Sequence, residues 1–409
     1  MKILHVTAHM GGGIGTVISG VCIRDRENEH SILCLEECRD RRRLEECLQN
    51  AVPVYQWKDA DIGLLEHFDL VQIEWWHHPL MAEFMVRQLG KVKTRLVIWS
   101  HISGCSYPVI PYSFVTWPEA FVFATPYSYD NPYWTEAERT EIRNTAVLAV
   151  SSGNDFSGQP PMKADHSGFC VGYVGFLGYE KTSPAFVSLC EKCRDIPEIT
   201  FRIVGDLQYG QELYKEAMES RCKELFDFRG FSSDVSRELT GFDVFACLLQ
   251  KEHTGASENA LLEAMYHKVC PVVFRQCTEQ YLVKHMETGL VCGSAEEFAE
   301  AIRLLSGNKE LRERLSSQAS DYVRNHYSIQ HTIAALSHAY RGAVKKEKRF
   351  HFGESVFGST PAQWFLTCCR QSRGKLSGLA VGKSKGSVYQ YYRYFKDVEL
   401  EKIIRENIE

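Results

Sequence analysis

The stretch of this chain best suited to holding an anion is Gly255 to Phe274, GASENALLEAMYHKVCPVVF. Gly255-Ala256-Ser257-Glu258-Asn259 is small and polar, the chemistry of a loop that feeds a helix N-terminus. Ala260 to Tyr266 consists of strong helix formers whose Leu261, Leu262 and Met265 can face a core. Val269 to Phe274 is a β-branched run fit for a buried parallel strand. A loop–helix–strand unit of this kind aims the first N–H groups of the helix outward, where they can hold a phosphate. The plain alternative is one more βα unit of an α/β core.

A second candidate lies at the start. Lys2 to Thr7 reads as a buried strand, followed by His9-Met10-Gly11-Gly12-Gly13-Ile14-Gly15-Thr16 and a helix over Thr16 to Cys22. Strand, Gly-rich turn and helix form the phosphate-cradling arrangement of α/β proteins. The dinucleotide fingerprint G-x-G-x-x-G is not met, because Thr16 stands at the place of the last glycine. Glu36 and Glu37 do follow the next strand, His30 to Leu35, which keeps a dehydrogenase as a rival. His77, His78 and His101 each follow a strand and so fall on the sheet edge where α/β proteins bind ligands. For each, a structural histidine is the alternative.

The elements that must position these groups alternate. Strands are expected at Val52–Trp57, Asp69–Glu74, Arg95–Trp99, Ala120–Thr125 and Val147–Val150, with a helix over Pro79–Leu89. The stretch 151–168, rich in Gly, Ser and Pro, reads as an interdomain linker. A second series follows, with strands at Cys170–Val174, Thr200–Val204, Leu225–Phe228 and Asp243–Leu248. Helices are expected at Pro184–Cys193, Gln211–Cys222 and Asp234–Leu239, then at Ala295–Leu305, Lys309–Asn325 and Ile329–Tyr340. This pattern implies parallel sheets covered on both faces. The expected domains are 1–160, 161–340 and a C-terminal extension, 341–409.

Composition sets further bounds. A length of 409 residues suits two domains and an appendage, and 44% apolar with 24% charged residues is ordinary globular usage. A net charge of -5 argues against a general nucleic-acid binder. The fifteen cysteines lie mostly in apolar stretches, which points to reduced thiols and a cytoplasmic setting. Cys190 and Cys193 form a lone C-x-x-C within a helix, read as packing rather than zinc or redox. No metal-ligand spacing appears, and no apolar run reaches the roughly 18 residues of a membrane span. From Arg341 to Lys396 there are 12 Lys/Arg against Glu347 and Glu354, mixed with Trp364, Phe365, Tyr389, Tyr391, Tyr392, Tyr394 and Phe395. That mixture suits peripheral contact with an anionic membrane surface, with a helical appendage packed on the main body as the alternative.

From Cys170 to about Tyr340 the chain resembles nucleotide-sugar-dependent glycosyltransferases of the GT-B fold, and within them the GT4-like group (glycosyl transferases group 1). Four segments carry the resemblance, in order: Gly172-Tyr173-Val174-Gly175 with Glu180-Lys181; Phe201-Arg202-Ile203-Val204-Gly205-Asp206; Phe228-Arg229-Gly230-Phe231 leading to Phe242-Asp243-Val244-Phe245; and Asn259 to Met265 followed by Cys270-Pro271-Val272-Val273. The first 150 residues match by architecture, by the Gly-rich loop and by His101. The resemblance implies an α/β fold of two Rossmann-like domains whose parallel sheets face across a cleft, the first acceptor-side, the second binding the donor.

The same resemblance implies residue roles. Glu263 would accept from the ribose hydroxyls. Ser257, Glu258, Asn259 and Ala260 would hold the diphosphate through backbone amides and the helix dipole. Lys181 would supply positive charge to the leaving phosphate. The loop after Phe228, with Phe231, would frame the base. Gly12, Gly13 and Gly15 would close over sugar and phosphates, and His101 would contact the transferred sugar or the acceptor. The implied enzyme is a cytoplasmic hexosyltransferase using a nucleoside-diphosphate sugar, with no metal or other cofactor and with net retention. Its acceptor would be a polysaccharide, glycolipid or specialised metabolite. Two positions depart from the family pattern. Phe176 stands where an arginine is usual, five residues before the lysine, and Gly255 where a second glutamate is usual, eight residues before Glu263. Glu252 and Glu258 are the nearby candidates to replace that carboxylate. Two alternatives follow: a non-catalytic GT-B subunit, or a nucleotide-sugar epimerase of the same fold.

Overall fold

A computed structural model describes residues 1–38, 41–369, 376–382 and 385–408. It divides into two units, Met1–Asn154 with Ile329–Glu409, and Asp155–Ser328. The division falls at 154/155 and 328/329 rather than at 160 and 340, and the C-terminal segment belongs to the first unit.

The first unit is built on seven strands: β1 (Lys2–Thr7), β2 (Glu29–Cys34), β3 (Val54–Gln56), β4 (Leu70–Trp75), β5 (Leu96–Ser100), β6 (Ala120–Phe123) and β7 (Val147–Leu148). They form one sheet in the order β3-β2-β1-β4-β5-β6-β7, with every pairing parallel. The order reverses between β1 and β4, and such reversals open a crevice at the carboxyl ends of the strands. The helix expected at Thr16 begins earlier and spans Gly12–Arg24. Gly12, Gly13 and Gly15 are therefore in its first turn rather than in a loop before it.

Each face of this sheet is covered by chain that sequence order alone does not assign to it. On one face, helix Ile329–Ala343 returns from the far end of the chain, and its Leu336, Ala339, Tyr340 and Ala343 pack on Ile3, Val97, Trp99 and Val122. On the other, Phe357, Trp364, Phe365 and Tyr391 of the tail pack with Val6, Ile73, Trp75 and Phe84. The tail is thus part of a core and not a detached extension. Its residues 370–375, 383–384 and 409 lie outside the described residues. Trp364, Phe365 and Tyr391 have no exposed surface, so they are not offered to a membrane. Several of its basic groups also serve docking: Arg349 pairs with Glu119 at 2.5 Å, and the Lys346 and Lys348 ammoniums donate to the carbonyls of Glu119 and Phe68 at 2.7 Å each.

The second unit repeats the plan with six strands: β8 (Phe169–Val174), β9 (Ile199–Val204), β10 (Phe226–Gly230), β11 (Val244–Cys247), β12 (Cys270–Phe274) and β13 (Leu290–Cys292). Their order is β10-β9-β8-β11-β12-β13, again all parallel. The reversal falls between β8 and β11. Strand β13, three residues long, is too short to stand out in the sequence. None of the fifteen cysteines is joined in a disulfide, and Cys190 and Cys193 are buried. Among the described residues no helix is long and apolar enough to cross a membrane.

Candidate functional site

In the second unit the loops after β8 and β11 meet at the sheet reversal. Thr182 and Leu249 form an isolated antiparallel bridge, the Ser183 amide donates to the Leu248 carbonyl, and the Gln250 amide donates to Lys181 at 2.9 Å. This strap carries Lys181 to the start of helix Asn259–Tyr266, where its Nζ lies 3.0 Å from Glu258 Oε2. Glu258 caps that helix in the left-handed region, with φ 42 and ψ 65. A non-glycine residue there is uncommon, and such positions concentrate at ligand sites. Burial works against the charge on Glu258, but the lysine outweighs it and holds the carboxyl below its ordinary range. Burial likewise opposes the ammonium of Lys181, and the same carboxylate holds its pKa above the ordinary value.

The two departures from the family pattern have structural accounts. Glu258 fills the space that a side chain at position 255 would need: a Cβ built on Gly255 would lie 1.8 Å from Glu258 Oε1. Between the two nearby candidates, then, Glu258 brings its carboxylate to Lys181, whereas Glu252 is exposed. Phe176 packs its ring against Tyr209, 5.3 Å between centroids, with no cation in the arginine's place. Glu263 sits half-buried one turn into the helix, with Ser257, Asn259 and Ala260 half-buried before it. Phe231 is 78% exposed, so the described unit gives it no packing role.

In the first unit, Gly12 takes φ +69, and a Cβ at Gly15 would lie 1.7 Å from the Met10 carbonyl oxygen. Gly15 is therefore required by the turn's own packing. Gly13 is exposed. His101 follows β5, and its Nε2 is 2.7 Å from Glu74 Oε2. Glu74 is fully buried on β4 and accepts also from His5 Nδ1 at 2.6 Å and Gln72 Nε2 at 2.6 Å. Burial opposes its charge, but the histidines His101 and His5 outweigh that and hold its carboxyl at about 2. His77 and His78 prove structural: burial pushes both down to about 3, and His78 Nδ1 caps helix Pro79–Arg87 by accepting from the Leu80 amide.

Glu74, His5 and Gln72 were not singled out from the sequence, although a signal was there. Central parallel strands covered on both faces read as apolar runs, and KILHVT and LVQIEW interrupt theirs with His5, Gln72 and Glu74. Folding also gathers two sets of side chains with metal-binding chemistry, His5–Cys22–His30 and His253–Cys277–Glu279. In the first, His5 Nε2 and His30 Nδ1 are 2.8 Å apart and bonded to each other, and their remaining nitrogens face carboxylates, so no imidazole lone pair is left for a cation. In the second, His253 Nδ1 accepts from the Gly255 amide and Nε2 faces Glu279 at 3.1 Å.

Residues 161–322 match the family model described as glycosyl transferases group 1. Among curated proteins, the lipopolysaccharide core biosynthesis glycosyltransferase LpsE of Rhizobium meliloti (strain 1021) is 27% identical over 157 residues, 38% of this chain and 44% of that protein. The aligned region thus spans less than half the length of that relative. Among solved structures, Anabaena Alr3699/HepE in complex with UDP-glucose superposes with a TM-score of 0.66 at 15% identity, over 83% of this chain and 99% of the other. A glycosyltransferase from Rickettsia africae ESF-5 gives 0.66 at 12% identity, over 84% and 99%. The fold is therefore GT-B, and the resemblance seen in the sequence holds. Within the second unit, residues 161–322 are similar to the glycosyl transferases group 1 family.

Proposed function

We propose that this protein transfers a sugar from a nucleoside-diphosphate sugar to an acceptor hydroxyl. The observation that carries the reading is the delivery of Lys181 to the amino end of helix Asn259–Tyr266, within the region that matches the family model. Helix amides and an ammonium together neutralise a leaving diphosphate. Glu263 would bind the ribose, and His101 the sugar or acceptor. Neutralisation by amides and lysine makes the proposed chemistry independent of a metal, and retention is proposed with it. A uridine donor is favoured by the UDP-glucose complex of the structurally similar HepE, and an envelope glycan acceptor by the role named for LpsE.

The test is release of nucleoside diphosphate from UDP-, GDP- and ADP-sugars, after a thermal-shift screen. A donor at about 100 times its dissociation constant adds about 2.7 kcal/mol to stability. Lys181→Ala is expected to lower release on the order of 100-fold or more. Unchanged release in both Lys181→Ala and Glu263→Ala would overturn the assignment. A second reading, a non-catalytic GT-B subunit, is favoured by the missing cation at Phe176 and the missing carboxylate at Gly255. Tight nucleotide binding with no turnover across donors and acceptors would establish it instead.

A further inference from the structure

His101 stands at the end of a buried chain of hydrogen bonds. Asp25 Oδ2 lies 3.0 Å from His30 Nε2, His30 Nδ1 lies 2.8 Å from His5 Nε2, His5 Nδ1 lies 2.6 Å from Glu74 Oε1, and Glu74 Oε2 lies 2.7 Å from His101 Nε2. No side chain in it is more than 5% exposed. These five residues come from the turn after helix Gly12–Arg24 and from β2, β1, β4 and the end of β5. Only the sheet reversal brings them into one line.

The contacts set how many protons the line must hold. The three contacts from Asp25 to Glu74 need one proton each. Two neutral imidazoles supply two, since each carries one N–H. The third is shared along the line between the two carboxylates, where burial, the larger influence, pushes His30 toward its neutral form and Asp25 opposes that. Gln72 Nε2 is 3.3 Å from His5 Nδ1, a weaker contact than the 2.6 Å to Glu74. Tyr340 holds Gln72 in that orientation by donating to its Oε1 at 2.7 Å. The other titratable groups facing the cluster are Cys22 and Tyr340, and burial pushes both up, keeping them neutral. With Oε1 of Glu74 engaged by His5 and Gln72, Oε2 is left to one donor, His101 Nε2–H. Nδ1 of His101 has no hydrogen-bond partner among the described residues.

We propose that Glu74, anchored by the His5–His30 pair, is a positioning residue that holds His101 as its Nε2–H tautomer and presents Nδ1 as an acceptor to a hydroxyl of the bound sugar or acceptor. This rests on the reading of His101 as a sugar-side contact, but the tautomer does not. A carboxylate bonded to one ring nitrogen commonly sets a histidine's tautomer in this way.

The tautomer can be read by long-range 1H–15N correlation spectra of the full chain labelled at histidine, with His101→Gln used to assign the signal. We expect an Nε2–H pattern for His101 at pH 8, as its contact with Glu74 Oε2 requires. In Glu74→Gln the His101 signal should turn into a mixture of tautomers. A wild-type His101 protonated at Nδ1, or an unchanged Nε2–H pattern in folded Glu74→Gln, would overturn the proposal. The wild-type spectrum decides the tautomer even where a variant fails to fold. In sugar-nucleotide turnover, His101→Gln and Glu74→Gln should each cost about tenfold and the double variant no more than either. Multiplying losses would show that Glu74 acts independently of His101. Loss of turnover in neither variant with the tautomer intact would remove the function assigned to His101 and leave its positioning standing.

Discussion

At the sheet reversal of the first unit, polar groups are bonded to one another from Asp25 to His101 and sealed from water. At the equivalent reversal of the second, Lys181 pairs with Glu258 at the helix start, and buried His253 lies 3.6 Å from Glu258 Oε1 and 3.1 Å from Glu279; Lys181 is 34% exposed, and Glu258 Oε1 lacks a hydrogen-bond partner among the described residues. The first arrangement is bonded internally from Asp25 to His101 Nε2 and needs no ligand to hold that line together. The second leaves acceptor capacity unused and a cation within reach of solvent, as a site does when its partner arrives from outside. Preorganisation lowers the cost of binding, whereas a pair that must open makes a ligand compete with a side chain. One unit thus holds a fixed histidine, the other an exchangeable lysine.

The largest expected effect tests how the first arrangement is supported. Trp364 is fully buried in the tail, packed edge-on against Phe395 and beneath Arg87. Trp364→Ala should cost about 3–5 kcal/mol. Hydrogen exchange read by mass spectrometry should show lost protection in β1, β4 and β5 and unchanged protection in β8 to β12. Uniform loss across both sheets, or none, would show that the tail is not what rigidifies the edge carrying His101.

Next in size is acid sensitivity. Glu74 titrates at about 2 in the fold against an ordinary 4.5. As pH falls through 4.5 the unfolded chain takes up that proton and the folded chain does not. The stabilisation is therefore present above 4.5 and is lost between 4.5 and 2, about 3 kcal/mol in all. Urea midpoints measured from pH 5 to pH 3 should fall more steeply in wild type than in Glu74→Gln. Equal slopes would mean that Glu74 is not held ionised, and the contrast between the two units would lose its physical basis.

Much of this architecture is legible in the residues. Parallel strands such as Lys2–Thr7 and Cys270–Phe274 announce themselves as short apolar runs between helices, and the Ser-, Gly- and Pro-rich stretch after Val150 marks the crossing into the second unit. What is not legible depends on long-range choice. Helix Ile329–Ala343 has an apolar face that suits either sheet, and local pattern cannot say that its Tyr340 will reach Gln72 of β4. The aromatics of the tail read equally well as a membrane surface or as core, since both bury rings. In the second unit, resemblance to a family pattern singles out Lys181 and Glu263. The αL turn at Glu258, which swings a carboxylate over Gly255, depends on backbone dihedrals that composition does not reveal.

The smallest effect bears most directly on the exchangeable pair. Partly exposed ion pairs contribute about 0–1 kcal/mol, so removing the competing carboxylate should strengthen binding of a diphosphate only modestly. Glu258→Gln keeps the size and shape of the side chain but frees Lys181, and UDP binding measured by calorimetry should tighten by up to about fivefold. Gly255→Ala attacks the same contact from the other side. Its Cβ would meet Glu258 Oε1 at 1.8 Å and His253 Nδ1 at 2.8 Å; the carboxylate is the far end of a flexible chain, whereas His253 is buried against Glu279. The carboxylate is the group that yields, and Gly255→Ala should shift UDP affinity in the same direction at a stability cost of about 1 kcal/mol. If Glu258→Gln weakens UDP binding instead, the carboxylate remains in place when the nucleotide arrives. Glu258 would then belong to the bound site itself rather than occupy it in the ligand's absence.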